Sequence, residues 1–290
     1  MIKVIEQGAY MNRIDKTPDG KITAECSFLS THYECSVTIY ADARGMKTEK
    51  VLYAVHRTPQ NDNLAQGEIQ ELAGETCTLA ASKIVKTLPD YDGNGYIKEL
   101  ILENLRGINQ AEIYMLEEIN VANPIEYEKI WLHEKVDYCR PYTGRMPGLY
   151  EWPNYVNSLN HYRTRNLYNK YKQYTVITEG GDDIFIDGAY HDSFHEMHAQ
   201  LTYSATGREI SEFDMTMQRW PFAACFEMDH TAAGLFVGKK IDDLTKREVG
   251  KLIGGSNGCF HLVDIVADMA KAAMDLRKLD ELRTKPEKAE

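Results

Sequence analysis

Residues 196–221 read EMHAQLTYSATGREISEFDMTMQRWP, and residues 34–59 read ECSVTIYADARGMKTEKVLYAVHRTP. Each is an extended run, a turn at Gly207 or Gly45, a second extended run and a closing Arg-x-Pro, with 12 residues from glycine to arginine in both. Alternating apolar and polar positions bounded by turn residues are the mark of half-buried strands. Working outward, each pair of strands follows a histidine (His32 or His195) and a hairpin. The hairpins turn at Pro18-Asp19-Gly20 and at Glu179-Gly180-Gly181-Asp182. Helical segments follow both copies, at 77–88 and 96–118 in the first and at 228–239, 242–253 and 259–282 in the second. The last helix begins 37 residues after Pro59 and 38 after Pro221. Leu262, Ile265, Val266, Met269 and Ala273 give it one apolar face. Strands followed by helices imply an α+β class. The expectation is two tandem, diverged copies of an antiparallel sheet with helices packed on one face, related by a pseudo-twofold axis. The copies span 1–122 and 171–282, joined by an irregular aromatic and basic linker at 123–170, with a frayed tail at 283–290.

The chain of 290 residues carries 43% hydrophobic and 27% charged residues, an ordinary globular balance. No window approaches the roughly 18 apolar residues of a membrane span, and the N-terminus has no signal-peptide pattern. A cytoplasmic protein of small-molecule metabolism is expected, with no membrane partner and homo-oligomerisation left open. Net charge is −11, which disfavours nucleic acid as a partner. The stretch 140–174 runs the other way, with six basic residues against Glu151 alone. Eight of the 18 tyrosines lie at 138–174, with Trp152 among them. Interleaved rings and cations suit a small anionic or aromatic ligand, held by Tyr162, Arg163 and Arg219. They suit the packing of a linker as well.

Six cysteines are spread without any C-x-x-C, so a disulfide framework is not expected. Five of the nine histidines and two of the cysteines fall between His191 and His261. Thiolate and imidazole together are the ligand set of zinc or ferrous iron. Cys259 and His261 stand in the first turn of the last helix after a glycine-rich loop, where a helix N-terminus favours a thiolate. With His195 from a strand entry and Cys225 from a strand exit, they form the expected site for one zinc or iron. On strands His191 and His198 fall on opposite sides, so only His195 is retained. Glu196, Asp229 and His230 are the candidate proton acceptors. The plain alternative is that these are buried thiols and a capping histidine.

The run His195-x-Met197, Gly207, Pro221-Phe222-x-x-Cys225 and Gly258-Cys259-Phe260-His261-Leu262 resembles a bacterial domain-of-unknown-function family, number 2889, over about 171–280. That family implies no activity. In the first half His32 is kept, Glu34 replaces the methionine, and Gly95-Tyr96-Ile97-Lys98-Glu99 stands in place of G-C-x-H-L. The order of elements also resembles the IscU/NifU-type iron–sulfur scaffold. There the ligand positions would fall at His195 to Met197, Cys225 and His261-Leu262. Leucine and histidine replace two of that scaffold's cysteines, so a mononuclear site fits better than a cluster.

Asp90, Asp92 and Asn94, with Gly95 at position 6, resemble an EF-hand loop, but Ile101 stands where the closing glutamate belongs. Calcium is therefore not expected as a cofactor, and a turn between helices is. P-loop, dinucleotide and serine-hydrolase motifs are absent from the sequence. The function expected is a metal-dependent enzyme of lyase or hydrolase type, acting on a small aromatic or carboxylate substrate in bacterial catabolism. The alternatives are a metal or iron–sulfur carrier and a non-catalytic binding protein.

Overall fold

The computed structural model describes residues 1–60, 64–143, 154, 155, 158, 163, 165–226 and 232–284. Period-2 alternation becomes strand wherever one face can be buried. In β2 (Lys21–Ser30) the residues Ile22, Ala24, Cys26, Phe28 and Ser30 point inward and their neighbours outward. The other strands are β1 (Lys3–Lys16), β3 (Glu34–Asp42), β4 (Lys47–Arg57), β5 (Ala65–Glu68), β6 (Tyr168–Thr178), β7 (Asp183–Asp192), β8 (Glu196–Ser204) and β9 (Ile210–Arg219). They form one antiparallel sheet in the order β5-β4-β3-β2-β1-β6-β7-β8-β9. The α+β class is as expected, but the strands of the two halves do not make separate sheets. They join through the β1–β6 pair, where Tyr10 stands opposite Lys172.

The register of the second half repeats that of the first 162 positions later. Gly8 pairs with Ser30, and Lys170 with Asp192. Lys21 pairs with Asp42, and Asp183 with Ser204. The register shifts in β3–β4, at Glu34/Cys35 and Tyr40/Ala41, recur in β8–β9 at Glu196/Met197 and Thr202/Tyr203.

Six α-helices are found among the described residues: α1 (Ser82–Thr87), α2 (Tyr96–Ala111), α3 (Pro124–Glu134), α4 (Ala223–Phe226), α5 (Lys246–Ile253) and α6 (Phe260–Thr284). The two long ones, α2 and α6, lie on the same face of the sheet. Ile97, Leu100, Leu105 and Ile108 of α2 and Leu262, Ile265, Val266 and Met269 of α6 supply its core. At 228–239 a helix was expected; the structure has a single 3-10 turn at Ala233–Leu235, and 227–231 lie outside the described residues. The span 123–170 was expected to be irregular. It contains α3, because Asn123 accepts the Ile125 and Glu126 amides and Pro124 fits the first turn.

Close approach of α2 to the sheet needs Gly107. A Cβ there would meet Asn12 Oδ1 and lie 2.8 Å from Ile14 Cδ1. Asn12 cannot yield freely, since its amide donates to Asn104 Oδ1 (2.7 Å) and to the Glu25 carbonyl (3.0 Å). Gly107→Ala is expected to cost about 1–3 kcal/mol in urea unfolding despite alanine's better helix propensity.

Between sheet and helices lies a layer of buried charge. Glu103 (α2) pairs with Lys170, with Lys172 (3.2 Å) and with Arg106 (2.7 Å). Lys172 also reaches Asp268 (2.6 Å), and Arg106 reaches Asp264 (3.3 Å). Lys170 and Lys172 belong to the basic stretch read as a ligand surface. They face inward on β6, and their charge is answered by α2 and α6.

Candidate metal and ligand pocket

Strand β7 ends at Asp192, and a tight turn returns the chain at His195, with the Asp192 amide donating to the His195 carbonyl (2.9 Å). Arg219 fastens this turn from the end of β9, donating to the carbonyls of Asp192 (2.7 Å), Ser193 (2.9 Å) and His195 (3.2 Å). The Asp192 side chain is fully enclosed. Its Oδ1 accepts the Phe194 amide (2.7 Å), the His195 amide (2.5 Å) and His195 Nδ1 (3.1 Å). Its Oδ2 accepts the hydroxyls of Tyr168 and Tyr190, both at 3.0 Å. Burial opposes the ionised form, but His195, its hydrogen bond and the nearby His261 outweigh burial and hold the carboxyl well below its usual range.

From the other side comes the start of α6. The Cys259 amide donates to the Ile253 carbonyl at 2.8 Å, and a Cβ at Gly258 would overlap that carbonyl, so only glycine allows the approach. His261 then lies with its ring centroid 3.9 Å from that of His195 and 5.2 Å from Tyr190. Its Nε2 is 3.9 Å from Asp192 Oδ2 and its Nδ1 is 3.9 Å from Cys259 Sγ. The last separation is long for a hydrogen bond. It is near the roughly 3.6 Å that a sulfur and a nitrogen have on one tetrahedral zinc, given bonds of about 2.3 and 2.1 Å. Burial, with His195 adding to it, pushes His261 down to about 3, so the imidazole is neutral. One atom from each of Asp192, His195 and His261 can be chosen so that all lie within 4.8 Å of one another.

His195, Cys225, Cys259 and His261 line one pocket. Its other walls include Tyr127 and Trp131 of α3, Tyr138, Cys139, Arg140, Tyr142, Phe222 and Phe260. The enclosed space is about 60 Å³. The expectation that the helix N-terminus would favour a Cys259 thiolate is overturned. The amides of Leu262 and His261 do pull in that direction, but burial dominates and raises the thiol to about 11.

Other expected site residues lie elsewhere. Glu196 is one position from the inward-facing Met197 and so faces the side of the sheet away from α2 and α6, with His191 (3.4 Å) and Arg219 (3.8 Å). It does not line the pocket, because adjacent strand residues point to opposite faces. The Arg219 guanidinium is spent on the turn. Arg163 sits over the Tyr114 ring (5.3 Å) and faces a separate depression. Tyr162, Asp229 and His230 lie outside the described residues. The sequence reading missed Asp192, Cys139 and the rings of α3. The Asp-x-x-His spacing at a strand end was the available signal for Asp192; nothing local marked the others.

Residues 183–275 match a family model described as a protein of unknown function (DUF2889). The match begins at β7 and runs into α6, so it holds Asp192, His195, Cys225, Cys259 and His261, while α3 and Cys139 lie outside it. No curated protein and no solved structure matches the chain. No helix among the described residues is long and apolar enough to cross a membrane.

At the calcium-like loop, Asp90 accepts the Gly95 amide (3.1 Å), and Asp92 accepts those of Tyr96 (3.0 Å) and Ile97 (3.1 Å). These carboxylates start α2. Asp92→Ala is expected to cost about 1 kcal/mol in thermal unfolding, as loss of a cap does. Calorimetry is expected to show no sub-micromolar calcium binding.

Proposed function

We propose that the protein is a metal-dependent enzyme, using zinc or iron, of lyase or hydrolase type, whose substrate is a small aromatic or carboxylate compound. The observation that carries this is the convergence of His195, Cys259 and His261 on one pocket from two distant chain segments, with Cys225 on its wall. Asp192 faces His195 Nδ1 and so leaves Nε2 for a metal, the carboxylate–histidine arrangement that orients metal-binding imidazoles. Asp192 already accepts five donors, so it serves as the orienting group. The metal would supply a Lewis acid or an acidified water. The rings of Tyr127, Trp131, Tyr138, Tyr142, Phe222 and Phe260 exclude water and suit an aromatic body, and Arg140 offers a positive charge to a carboxylate. Thiol ligands accord with the reducing cytoplasm.

We also infer that the halves are tandem copies, of which the second keeps the site. The repeated register supports this, as does the use of Arg57 on the carbonyls of Ser30 and Tyr33, matching Arg219 on Asp192 and His195. In the first half Ser30 and Tyr33 take the places of Asp192 and His195. Tyr96 packs on Phe28 and Tyr33 as His261 packs on Tyr190 and His195. Rings fill that end of the sheet.

Elemental analysis of the purified protein tests the metal. About one zinc or iron per chain is expected, lost in His195→Ala and His261→Ala while far-UV circular dichroism keeps its strand signal. Protein without metal, and with no zinc binding on titration, would overturn the reading.

A further inference from the structure

Beside the pocket lies a smaller cavity of about 30 Å³. The two share Asn109 and Gln110 near the end of α2, Trp131 of α3, Tyr138, and Phe260 and His261 at the start of α6. His261 therefore borders both. The smaller cavity is the more polar, because Arg106, Lys135, Lys170 and Asp264 also line it. Arg106 is answered by Glu103 (2.7 Å) and Asp264 (3.3 Å), and Lys170 by Glu103. Lys135 lies with its ammonium 5.1 Å from the centre of the Trp131 ring, and among the described residues its side chain has no hydrogen bond and no carboxylate partner. Glu112, whose carboxyl feels that charge, is held by Tyr127 (3.0 Å) and Asn109 (2.6 Å), and burial raises it to about 7. The two neighbouring amides of α2 differ in the same way. Asn109 is used at both ends, donating to Glu112 and accepting the Leu79 amide (2.9 Å). The Gln110 amide has no partner among the described residues.

We propose that the smaller cavity seats the substrate's carboxylate between Lys135 and Gln110, and that the substrate is a short, non-aromatic acid. The proposal rests on the reading of this pocket as a substrate site, and it narrows that reading. An ammonium and an amide N–H are donors suited to a carboxylate, and the Trp131 ring attracts the ammonium from its face. Arg140 lines the larger cavity and not the smaller, so a group placed in the smaller one meets Lys135.

The size of the two cavities excludes a ring. One water needs about 10–15 Å³ of such space, so the smaller cavity takes the two oxygens of a carboxylate. The larger one encloses about 60 Å³, well short of the roughly 150 Å³ of an apolar cavity that binds benzene. Together they hold an acid of roughly six heavy atoms. With its carboxylate in the smaller cavity, such an acid passes His261 and places its next carbons in the larger one, beside His195 and Cys259.

The test is calorimetric titration of the whole protein with pyruvate, benzoate and pyruvamide, on samples whose metal content has been measured, with Lys135→Met, Gln110→Leu and Arg140→Met alongside. Pyruvate should bind the wild type more tightly than benzoate does. Lys135→Met should weaken pyruvate at least about tenfold, as loss of a hydrogen bond to a charged group does. Pyruvamide has the same size without the charge, and it should bind wild type and Lys135→Met alike, which a misfolded variant would not allow. Gln110→Leu should weaken both. Pyruvate binding unchanged in Lys135→Met, or lost in Arg140→Met while intact in Lys135→Met, would overturn the proposal, as would benzoate binding as tightly as pyruvate. Wild-type protein that carries one zinc or iron and binds neither acid would overturn it and leave the metal reading standing. Protein without metal that binds pyruvate through Lys135 would support the carboxylate seat and count against the metal.

Discussion

Asp192→Ala is expected to destabilise the protein by about 3–5 kcal/mol and to reduce metal affinity by about 10–100-fold. The carboxylate is the acceptor for two amides, two tyrosine hydroxyls and one imidazole, all buried. Removing it orphans those donors together, and each orphaned buried group carries a desolvation cost of about 1–3 kcal/mol. Asp192→Asn should be milder for the fold, since a carbonyl oxygen remains. It should still lose metal, because the amide group no longer holds His195 in one tautomer. The same residue sets an acid limit. Its carboxyl lies below the usual range when folded. Its contribution is therefore complete at neutral pH and is lost as pH falls below about 4, the value of an unfolded aspartate. Urea midpoints of wild type and Asp192→Asn should stay apart from pH 7 down to pH 4 and converge as the pH is taken further below 4.

The second large effect is expected at Glu103. This fully buried carboxylate stands among Lys170, Lys172 and Arg106. Those charges hold its acid well below the usual range against a strong opposing effect of burial. Glu103→Gln leaves three buried cations with too little negative charge, and the expected cost is about 3–5 kcal/mol in urea unfolding. Lys172→Met should cost clearly less. Its other partner, Asp268, is already raised to about 7 by burial, and without Lys172 it becomes neutral by taking a proton. Equal losses in the two variants would show that the layer is not organised around Glu103.

The strands were legible because alternation and turn residues agree, as at Lys21–Ser30 after Pro18-Asp19-Gly20. The arginines of the Arg-x-Pro spacing both end a strand by donating to turn carbonyls, Arg57 to Ser30 and Tyr33 and Arg219 to Asp192 and His195. Fusion into one sheet was not legible: the β1–β6 pairing joins residues more than 150 positions apart, and neither strand carries a local sign of its partner. Helix α3 was masked by the prolines around it, although Asn123-Pro124 is a good helix start. At the pocket, the thiols and imidazoles were conspicuous as residue types. Asp192 was hidden because a strand-end aspartate is a common turn residue. Glu196 was misplaced because one step along a strand moves a side chain to the other face. The cations at 170 and 172 were read as a surface because sequence shows charge without showing the acids on α2 and α6 that face it.

The central claim is that a metal is held where β7, β8 and α6 meet. Anomalous scattering from crystals of the metal-loaded protein, collected at the zinc or iron edge, measures this directly. The account predicts one strong peak in the pocket, about 2.0–2.3 Å from His195 Nε2, a ring nitrogen of His261 and Cys259 Sγ. A peak elsewhere on the chain, or a pocket without one in protein that carries stoichiometric metal, would contradict it.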